Sequence, residues 1–372
     1  MNISMVDLKV QYQTYKQELD KAVIDVMEST AFINGPEVSA FEREMAEYSK
    51  IKYGVGLASG TDALLMALLA LGIGKGDEVI VPTFTFIATS EMVSRAGATP
   101  IFVDIDPDTF NIDPNDVRRK ITPKTKAIIP VHLYGQCADL DAITSIAKEH
   151  NLKVIEDCAQ AQGATWKGKQ VGTIGDIGCF SFFPTKNLGG FGDGGLVITD
   201  DEKVAETIKA LRNHGSFKRY YHSLHGFNSR LDSMQAAILR VKMHHLERWI
   251  SLRRDVASRY NKALKNSAYN LPKEGYKDLA PHTYNQYTIK VPEKRNELQT
   301  FLTEKGIASM IYYPLSLHKQ EIYKEYGYKQ GDFPASESVE DHVLSIPVYP
   351  ELTIEQTDYI IAALLEFQRT NL

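Results

Sequence analysis

The chain has 372 residues, which exceeds the length at which one hydrophobic core usually stops growing, so we predict a large domain and a smaller one. Its 43% hydrophobic and 24% charged residues are typical of a globular protein, and its net charge of −5 disfavours nucleic acid or an anionic membrane as partner. Three cysteines without a C-x-x-C spacing argue against a disulfide framework and a structural zinc site.

The first predicted elements are helical. Residues 1–7 lack the layout of a signal peptide and no apolar run is long enough to span a bilayer, so the sequence predicts a cytoplasmic protein. Helical periodicity follows at residues 12–27 and 36–48, where Pro36 and early acidic residues are typical of a helix start.

Short apolar runs then alternate with helical stretches. The runs cover residues 78–81, 100–103, 127–131 and 153–155. Such alternation predicts an α/β fold with a mostly parallel sheet covered by helices on both faces. Ligands collect outside the carboxyl ends of parallel strands, and Phe86, Asp157 and Lys186 all fall at such ends.

The last third of the chain has a different pattern. A helical region at 233–265 is followed by turn-forming residues at 266–283, then by predicted strands at 284–291, 309–313 and 344–348 and a helix at 354–369. We therefore predict a large domain over residues 1–250 and a smaller α+β domain over residues 251–372.

The stretch "FSFFPTKNLGGFGDGG" (180–195) surrounds a single lysine, Lys186, with a preceding strand and a glycine-rich turn. Residues 190–195 also match the dinucleotide-binding pattern G-x-G-x-x-G, which would indicate a dehydrogenase. That pattern has to open a helix, whereas here it runs into an apolar strand at 196–199. The dinucleotide interpretation is therefore discarded, and Lys186 becomes the candidate reactive group.

Two further motifs suggest what Lys186 serves. Ser59, Gly60 and Thr61 precede an apolar helix and are either a phosphate site at its amino terminus or a plain helix cap. Asp157, directly after a buried strand, either meets a cation such as a protonated pyridine nitrogen or forms a structural cap or salt bridge. Together with Lys186 they make the set that pyridoxal 5'-phosphate (PLP) requires: a Schiff-base lysine, an aspartate for the ring nitrogen and amides for the phosphate.

A resemblance supports this interpretation over almost the whole chain. It is carried by the motifs "FINGPEV", "SGTDAL", "EVIVPTFTFIAT", "PVHLYGQ", "VIEDCAQAQGA", "FSFFPTKNLGGFGDGG", "GFNSRLDSMQAAIL" and "YYPLSLHKQ". With these motifs the chain resembles the DegT/DnrJ/EryC1/StrS sugar aminotransferases, a branch of the fold-type I PLP-dependent transferases. The resemblance implies an aspartate aminotransferase-like large domain and a homodimer with shared active sites.

The resemblance also implies a role for each site residue. Lys186 would carry the cofactor and shuttle protons, Asp157 would pair with the ring nitrogen, Gln160 would bond the ring hydroxyl, and Phe86 would stack on the ring. Gly60, Thr61 and Ser181 would hold the phosphate with Asn228 of the partner subunit, and Tyr313, His318 and Arg230 would contact the substrate. From the residues alone, Phe86 could equally be a core aromatic and Asn228 a helix cap. His222 and His225 could face a metal ion, but no third ligand is evident and a solvated loop is preferred, so no metal is predicted.

The implied reaction moves an amine from L-glutamate to a nucleotide-linked ketosugar, for cell-surface polysaccharides such as lipopolysaccharide O-antigen or for aminosugars. The motifs "PVHLYGQCADLDAI" and "RYYHSLHGFNSRLDSMQAAIL" resemble members that aminate carbon 3 of UDP- or dTDP-linked sugars. Amination at carbon 4, as in perosamine formation, stays open, and so does the nucleotide (UDP, dTDP or GDP). The dehydratase branch, which carries histidine in place of the lysine, is disfavoured by Lys186. A regulatory protein that binds PLP without turnover is the non-enzymatic alternative.

Overall fold

A computed structural model describes residues 1–276 and 278–372 of the chain. Its helices are α1 (Leu8–Thr14), α2 (Lys16–Ser29), α3 (Pro36–Ser49), α4 (Gly60–Ala70), α5 (Ala88–Arg95), α6 (Pro114–Lys120), α7 (Leu140–His150), α8 (Glu202–Leu211), α9 (Ser233–Met243), α10 (Leu246–Leu264), α11 (Arg295–Glu304), α12 (Pro334–Glu340) and α13 (Ile354–Asn371), with short 3-10 helices at Leu133–Gly135, Leu317–Lys319 and Glu321–Tyr326. Its strands are β1 (Tyr53–Leu57), β2 (Glu78–Pro82), β3 (Thr99–Val103), β4 (Thr125–Ile128), β5 (Lys153–Asp157), β6 (Thr165–Trp166), β7 (Lys169–Gln170), β8 (Ile177–Ser181), β9 (Gly195–Thr199), β10 (Ser216–Lys218), β11 (Tyr221–His222), β12 (Tyr287–Lys290) and β13 (Val343–Ile346).

Seven strands form the central sheet in the order β1-β9-β8-β5-β4-β2-β3. The pairs from β8 to β3 are parallel, whereas β9 runs antiparallel to both β8 and β1. The middle residues of β2, Val79, Ile80 and Val81, are fully buried because helices cover both faces of the sheet. The predicted α/β class with a mostly parallel sheet is confirmed.

The predicted strands at 78–81, 100–103, 127–131 and 153–155 correspond to β2, β3, β4 and β5. The predicted strand at 309–313 is wrong: in this segment only Met310 forms a bridge, to Ser345. The predicted helix at 12–27 covers parts of two helices, α1 and α2, which are separated at Tyr15. The predicted helical region at 233–265 is likewise divided into α9 and α10 at residues 244–245. The glycine pattern at 190–195 does lead into strand β9 and not into a helix.

A second core lies in the carboxyl-terminal part of the chain. The antiparallel pair β12 and β13 packs with α10, α11 and α13 around buried residues such as Tyr260, Leu302 and Leu364. Ile3 belongs to the same cluster and forms a parallel bridge to Ile307. Helix α10 contributes to two cores. Ile250, near its start, packs in a core beside the central sheet, and Tyr260, near its end, packs in this second core. The division at residue 250 stays a prediction.

Three buried side chains join the end of β2 to the carboxyl-terminal part. Thr83 Oγ1 lies 2.7 Å from His318 Nδ1 and accepts the His318 backbone N–H at 3.2 Å. On the other side of the ring, His318 Nε2 lies 3.2 Å from Glu337 Oε1. His318 is only 4% exposed, and burial lowers the pKa of its ring. With both ring nitrogens occupied inside the protein, the substrate contact expected for His318 does not fit its placement, and we correct that prediction.

None of the helices formed by residues 1–276 and 278–372 combines the length and the apolar character needed to cross a membrane.

We predict that His318→Ala lowers the free energy of unfolding by about 2–4 kcal/mol, because Thr83 and Glu337 lose a buried partner and a cavity forms beside Phe333. Denaturant unfolding of the cofactor-free chain measures the loss, and His150→Ala, which changes an exposed histidine, is the control. A variant with unchanged stability and a raised KM for the sugar would restore the substrate role.

Candidate active site

A cavity of about 420 Å³ opens at the carboxyl ends of β2, β5 and β8. Loops from both parts of the chain line it. Its lining includes Ser59, Gly60, Thr61, Phe86, Asp157, Gln160, Ser181, Lys186, Gln286, Tyr312 and Tyr313. The volume is within the range of small-molecule and cofactor sites.

The register of three strands brings two of the lining segments together. Gly195, the first residue of β9, pairs with Leu57 of β1 on one side and with Ser181 of β8 on the other. A Cβ atom on Gly195 would lie 2.1 Å from the Ser59 carbonyl oxygen, and a Cβ atom on Gly60 would lie 2.5 Å from Ser181 Cβ. Glycine is therefore required at both positions for the start of α4 to lie against Ser181.

The amino terminus of α4 points into this corner of the cavity. Ser59 caps the helix, because its Oγ accepts the Asp62 amide at 3.1 Å. A helix leaves its first amides without intrahelical acceptors, and here Gly60 and Thr61 occupy these positions. With the helix dipole and the hydroxyl groups of Thr61 and Ser181, this corner suits a phosphate group.

Asp157 ends β5 and lies 5% exposed in the cavity wall. Its Oδ2 accepts the Thr89 hydroxyl at 2.9 Å and its Oδ1 accepts the Ala159 amide at 3.1 Å. Burial raises the pKa of Asp157, while these two hydrogen bonds and the nearby Lys186 act in the opposite direction. A cation placed against this carboxylate would be stabilised by it.

Lys186 follows β8 in a tight turn, in which its backbone N–H donates to the Phe183 carbonyl at 2.9 Å. Its side chain is half-buried in the same cavity as Asp157. Burial lowers the pKa of Lys186 to about 8, although Asp157 raises it. A larger share of this amine is therefore neutral, and thus nucleophilic, than for an ordinary lysine.

Gln160 connects the Tyr134 backbone to the Tyr313 side chain. Its Oε1 accepts the Tyr134 amide at 2.7 Å, and its Nε2 donates to the Tyr313 hydroxyl at 3.0 Å. The ring of Phe86 is 53% exposed, and its centroid lies 6.2 Å from that of Tyr313. An aromatic ring exposed to this extent inside a cavity is available to stack on a planar ligand, so the alternative of Phe86 as a core aromatic does not fit.

The structure brings most of the predicted site residues into one cavity. These are Gly60, Thr61, Phe86, Asp157, Gln160, Ser181, Lys186 and Tyr313. Asn228 is exposed and Arg230 donates to Asn213 Oδ1 at 2.9 Å, and both lie outside the lining. His318 is buried away from the cavity, as described above.

Three residues near the reacting groups were not identified from the sequence. Thr89 bonds Asp157 from one helical turn beyond Phe86, so the spacing of "FIAT" could have indicated it. Tyr312 and Gln286 line the cavity from the carboxyl-terminal part. The sequence around these two residues does not indicate a place in the cavity, because their position depends on how the carboxyl-terminal part of the chain packs against the large domain.

A buried group of His132, Glu156 and Cys158 has ligand atoms within 4.8 Å of one another. Its lone pairs are occupied by internal donors: His132 Nδ1 accepts the Ala138 amide at 3.1 Å, and Glu156 accepts the amides of residues 172, 174 and 175. This group therefore has a structural explanation within β5 and its neighbours, and we assign no metal to it. The exposed His222 lies in the short strand β11 and not in a loop, and it donates through Nδ1 to the His214 carbonyl at 2.8 Å.

Several known proteins are similar to this chain over at least 95% of its length. A pleiotropic regulatory protein from Geobacillus stearothermophilus is 52% identical over 99% of both chains. A UDP-N-acetyl-3-dehydro-alpha-D-glucosamine 3-aminotransferase from Acidithiobacillus ferrooxidans is 47% identical over 95% of both. Among solved structures, S. venezuelae DesV, in complex with a ketimine intermediate, superposes with a TM-score of 0.96 at 41% identity, covering 99% of this chain and 98% of DesV.

The match to a whole family agrees with these individual likenesses and with the cavity. Residues 13–365 fit the model of one family, and the mostly parallel sheet is that of its solved members. The chain therefore belongs to the DegT/DnrJ/EryC1/StrS aminotransferase family.

Proposed function

We propose that this aminotransferase moves an amine from L-glutamate to carbon 3 of a UDP- or dTDP-linked ketosugar in the biosynthesis of a cell-surface polysaccharide or an aminosugar. The coarser part of this statement follows from the family: the chain is a PLP-dependent sugar aminotransferase. The observation that carries the proposal is the single cavity that holds Lys186, the buried carboxylate of Asp157 and the amino terminus of α4.

The residues of the cavity fit PLP. Gly60 lets the start of α4 lie against Ser181, since a Cβ atom there would lie 2.5 Å from Ser181 Cβ, and the amides of α4 with the hydroxyl of Ser181 would receive the phosphate. Asp157 would hold a proton on the ring nitrogen, and Phe86 would cover a face of the ring. When bound, PLP supplies an electron sink that stabilises negative charge on the carbon losing its proton.

Lys186 has two tasks in this proposal. Its Nζ would hold the cofactor covalently, which requires a neutral amine. During transfer, the same Nζ would take a proton from the amino-acid donor and give one to the sugar carbon that receives the amine. Its lowered pKa of about 8 allows it to hold and release that proton near neutral pH.

Gln160 and Tyr313 would orient the ring and the sugar. The Gln160 amide is already fixed by Tyr134, so its Nε2 presents a defined donor toward the cavity. Burial raises the pKa of Tyr313, which therefore keeps its hydroxyl proton and can donate to a substrate oxygen. Arg230, with its Nε buried and unpaired among the described residues, stays a proposed substrate contact.

We propose carbon 3 because the aminotransferase that is 47% identical acts on a 3-dehydro sugar nucleotide by its name. Amination at carbon 4 is the second candidate, since a GDP-perosamine synthase is also among the relatives. The regulatory name of another relative favours a non-catalytic role for that protein only.

We expect turnover with glutamate and at least one 3-keto sugar linked to UDP or dTDP. The assay uses a panel of 3-keto and 4-keto sugars on UDP, dTDP and GDP, and mass spectrometry identifies the aminated product. Lys186→Ala should bind PLP without covalent attachment and lower turnover by at least about 1000-fold. Amination only of the 4-keto sugars would contradict the position, and an active Lys186→Ala would contradict the role of the lysine.

The covalent attachment of PLP to the cofactor-free protein should depend on pH with a midpoint near 8. The pKa of Lys186 is lowered from its ordinary 10.5 to about 8, so the reactive neutral amine is lost as pH falls below 8 and is present above it. Borohydride trapping and mass spectrometry measure attachment at Lys186. Asp157→Asn should move the midpoint to lower pH, because Asp157 raises the pKa of Lys186. A midpoint near 10.5 would refute the effect of burial.

We further propose a homodimer in which Asn228 completes the phosphate site of the partner. Asn228 is exposed and outside its own cavity, and it follows the hairpin of β10 and β11, whose aromatic side chains Phe217, Tyr220 and Tyr221 are also exposed. A phosphate accepts several hydrogen bonds, and α4 with Ser181 supplies donors from one side.

Mixing inactive Lys186→Ala chains with inactive Asn228→Ala chains tests this arrangement. In mixed dimers one site would carry both defects and the other neither, so equal mixing with full exchange should restore about a quarter of the parental activity. Each variant incubated alone is the control, and subunit exchange is verified with differently tagged chains. No recovery in exchanged dimers would show that each site is built from one chain.

A further inference from the structure

A buried lysine outside the cavity holds the loop that follows Lys186. Lys242 of α9 is 2% exposed, and its Nζ donates to the Gly189 carbonyl at 2.7 Å. The same ammonium lies 4.6 Å from the ring centroid of Phe191, close enough for a cation–π contact. Burying an ammonium is costly, so a position of this kind needs a compensating role.

Backbone hydrogen bonds connect the two ends of the loop that Lys242 contacts. The Gly190 amide donates to the Phe182 carbonyl at 2.8 Å, and the Lys186 amide donates to the Phe183 carbonyl at 2.9 Å. A Cβ atom on Gly189 would lie 2.3 Å from the Pro184 carbonyl oxygen, so the two sides of the loop are in direct backbone contact. A displacement of Gly189 therefore reaches the backbone that carries Lys186.

A buried carboxylate in the carboxyl-terminal part of the chain acts on the pKa of the same ammonium. Both carboxylate oxygens of Glu351 are buried, and neither has a hydrogen-bond partner among the described residues. Burial raises the pKa of Glu351, while the cations Arg253 and Lys242 lower it. Arg253 is itself tied to this region, donating through Nη1 to the Val348 carbonyl at 2.6 Å. Burial lowers the pKa of Lys242 to about 8, and the Glu351 carboxylate acts in the opposite direction.

We propose that Lys242 is a positioning residue, which fixes the backbone that carries Lys186 by holding Gly189. The importance of this contact for turnover rests on the role proposed above for Lys186. The contact itself does not, because it is a property of the chain without cofactor. A purely structural lysine would affect stability alone.

Hydrogen exchange of the cofactor-free protein tests the contact directly. Lys242→Met keeps the length of the side chain but removes the donor and the charge, and amides in residues 183–191 should then exchange about tenfold faster. Lys209→Met, which changes a lysine on the surface of α8, is the matched control and should leave this segment unchanged. Lys242→Arg retains a charged donor and should restore slow exchange at least in part.

The complete enzyme gives the second measurement. Lys242→Met should lower kcat by about 10- to 100-fold with KM for the ketosugar within about twofold, because the lysine is misplaced while the sugar contacts remain. The pH midpoint of the absorbance of the bound cofactor should also shift. Lys242→Arg keeps a charged donor and should recover kcat at least in part.

Two results would overturn the proposal. One is unchanged exchange in residues 183–191 in folded Lys242→Met. The other is a loss of kcat that persists in Lys242→Arg although its exchange is slow again, which would separate the contact from turnover. If the ketosugar panel fails but exchange accelerates as expected, the proposed reaction is wrong and the contact stands. If the panel succeeds and exchange is unchanged, only the contact is wrong.

Discussion

The close approach of Gly195 to the Ser59 carbonyl is the contact on which the site depends. It lets β9 lie between β1 and β8, so that the helix beginning at Gly60 starts beside Ser181. A side chain at residue 195 would push the start of α4 away from β8, and with it the amides suited to a phosphate. Since Lys186 follows β8 by five residues, the same contact sets the distance between the anion site and the reactive amine.

Charge is distributed in the cavity so that the buried Asp157 and the half-buried Lys186 carry opposite charges. Burial raises the pKa of Asp157 and lowers that of Lys186, and each group offsets part of the shift of the other. Thr89 and the Ala159 amide favour the ionised form of Asp157 whatever the state of the lysine. When Lys186 is neutral, its stabilisation of the carboxylate is lost, and a protonated ring nitrogen placed against Asp157 would supply a cation in its place.

Sequence patterns located the part of the site that parallel strands determine. Asp157 and Ser181 end neighbouring parallel strands, and short apolar runs are readily recognised in the chain. The carboxyl-terminal contribution was harder to predict, because it depends on packing between distant segments. His318 shows this difficulty: its motif suggested a substrate contact, but Thr83 and Glu337 occupy its ring. The segment around Met310 likewise has the composition of a strand, but only one of its residues bridges to β13.

The state of Lys186 also bears on whether the site only binds or also reacts. A protein that merely bound an anionic cofactor would be served as well by an ordinary protonated lysine. Burial lowers the pKa to about 8, which increases the neutral fraction at physiological pH on the order of 100-fold relative to a lysine of pKa 10.5. That shift comes at the cost of removing an ammonium from water. A desolvated lysine is useful where the amine attacks and exchanges protons, and this chemistry fits an aminotransferase better than a regulatory protein.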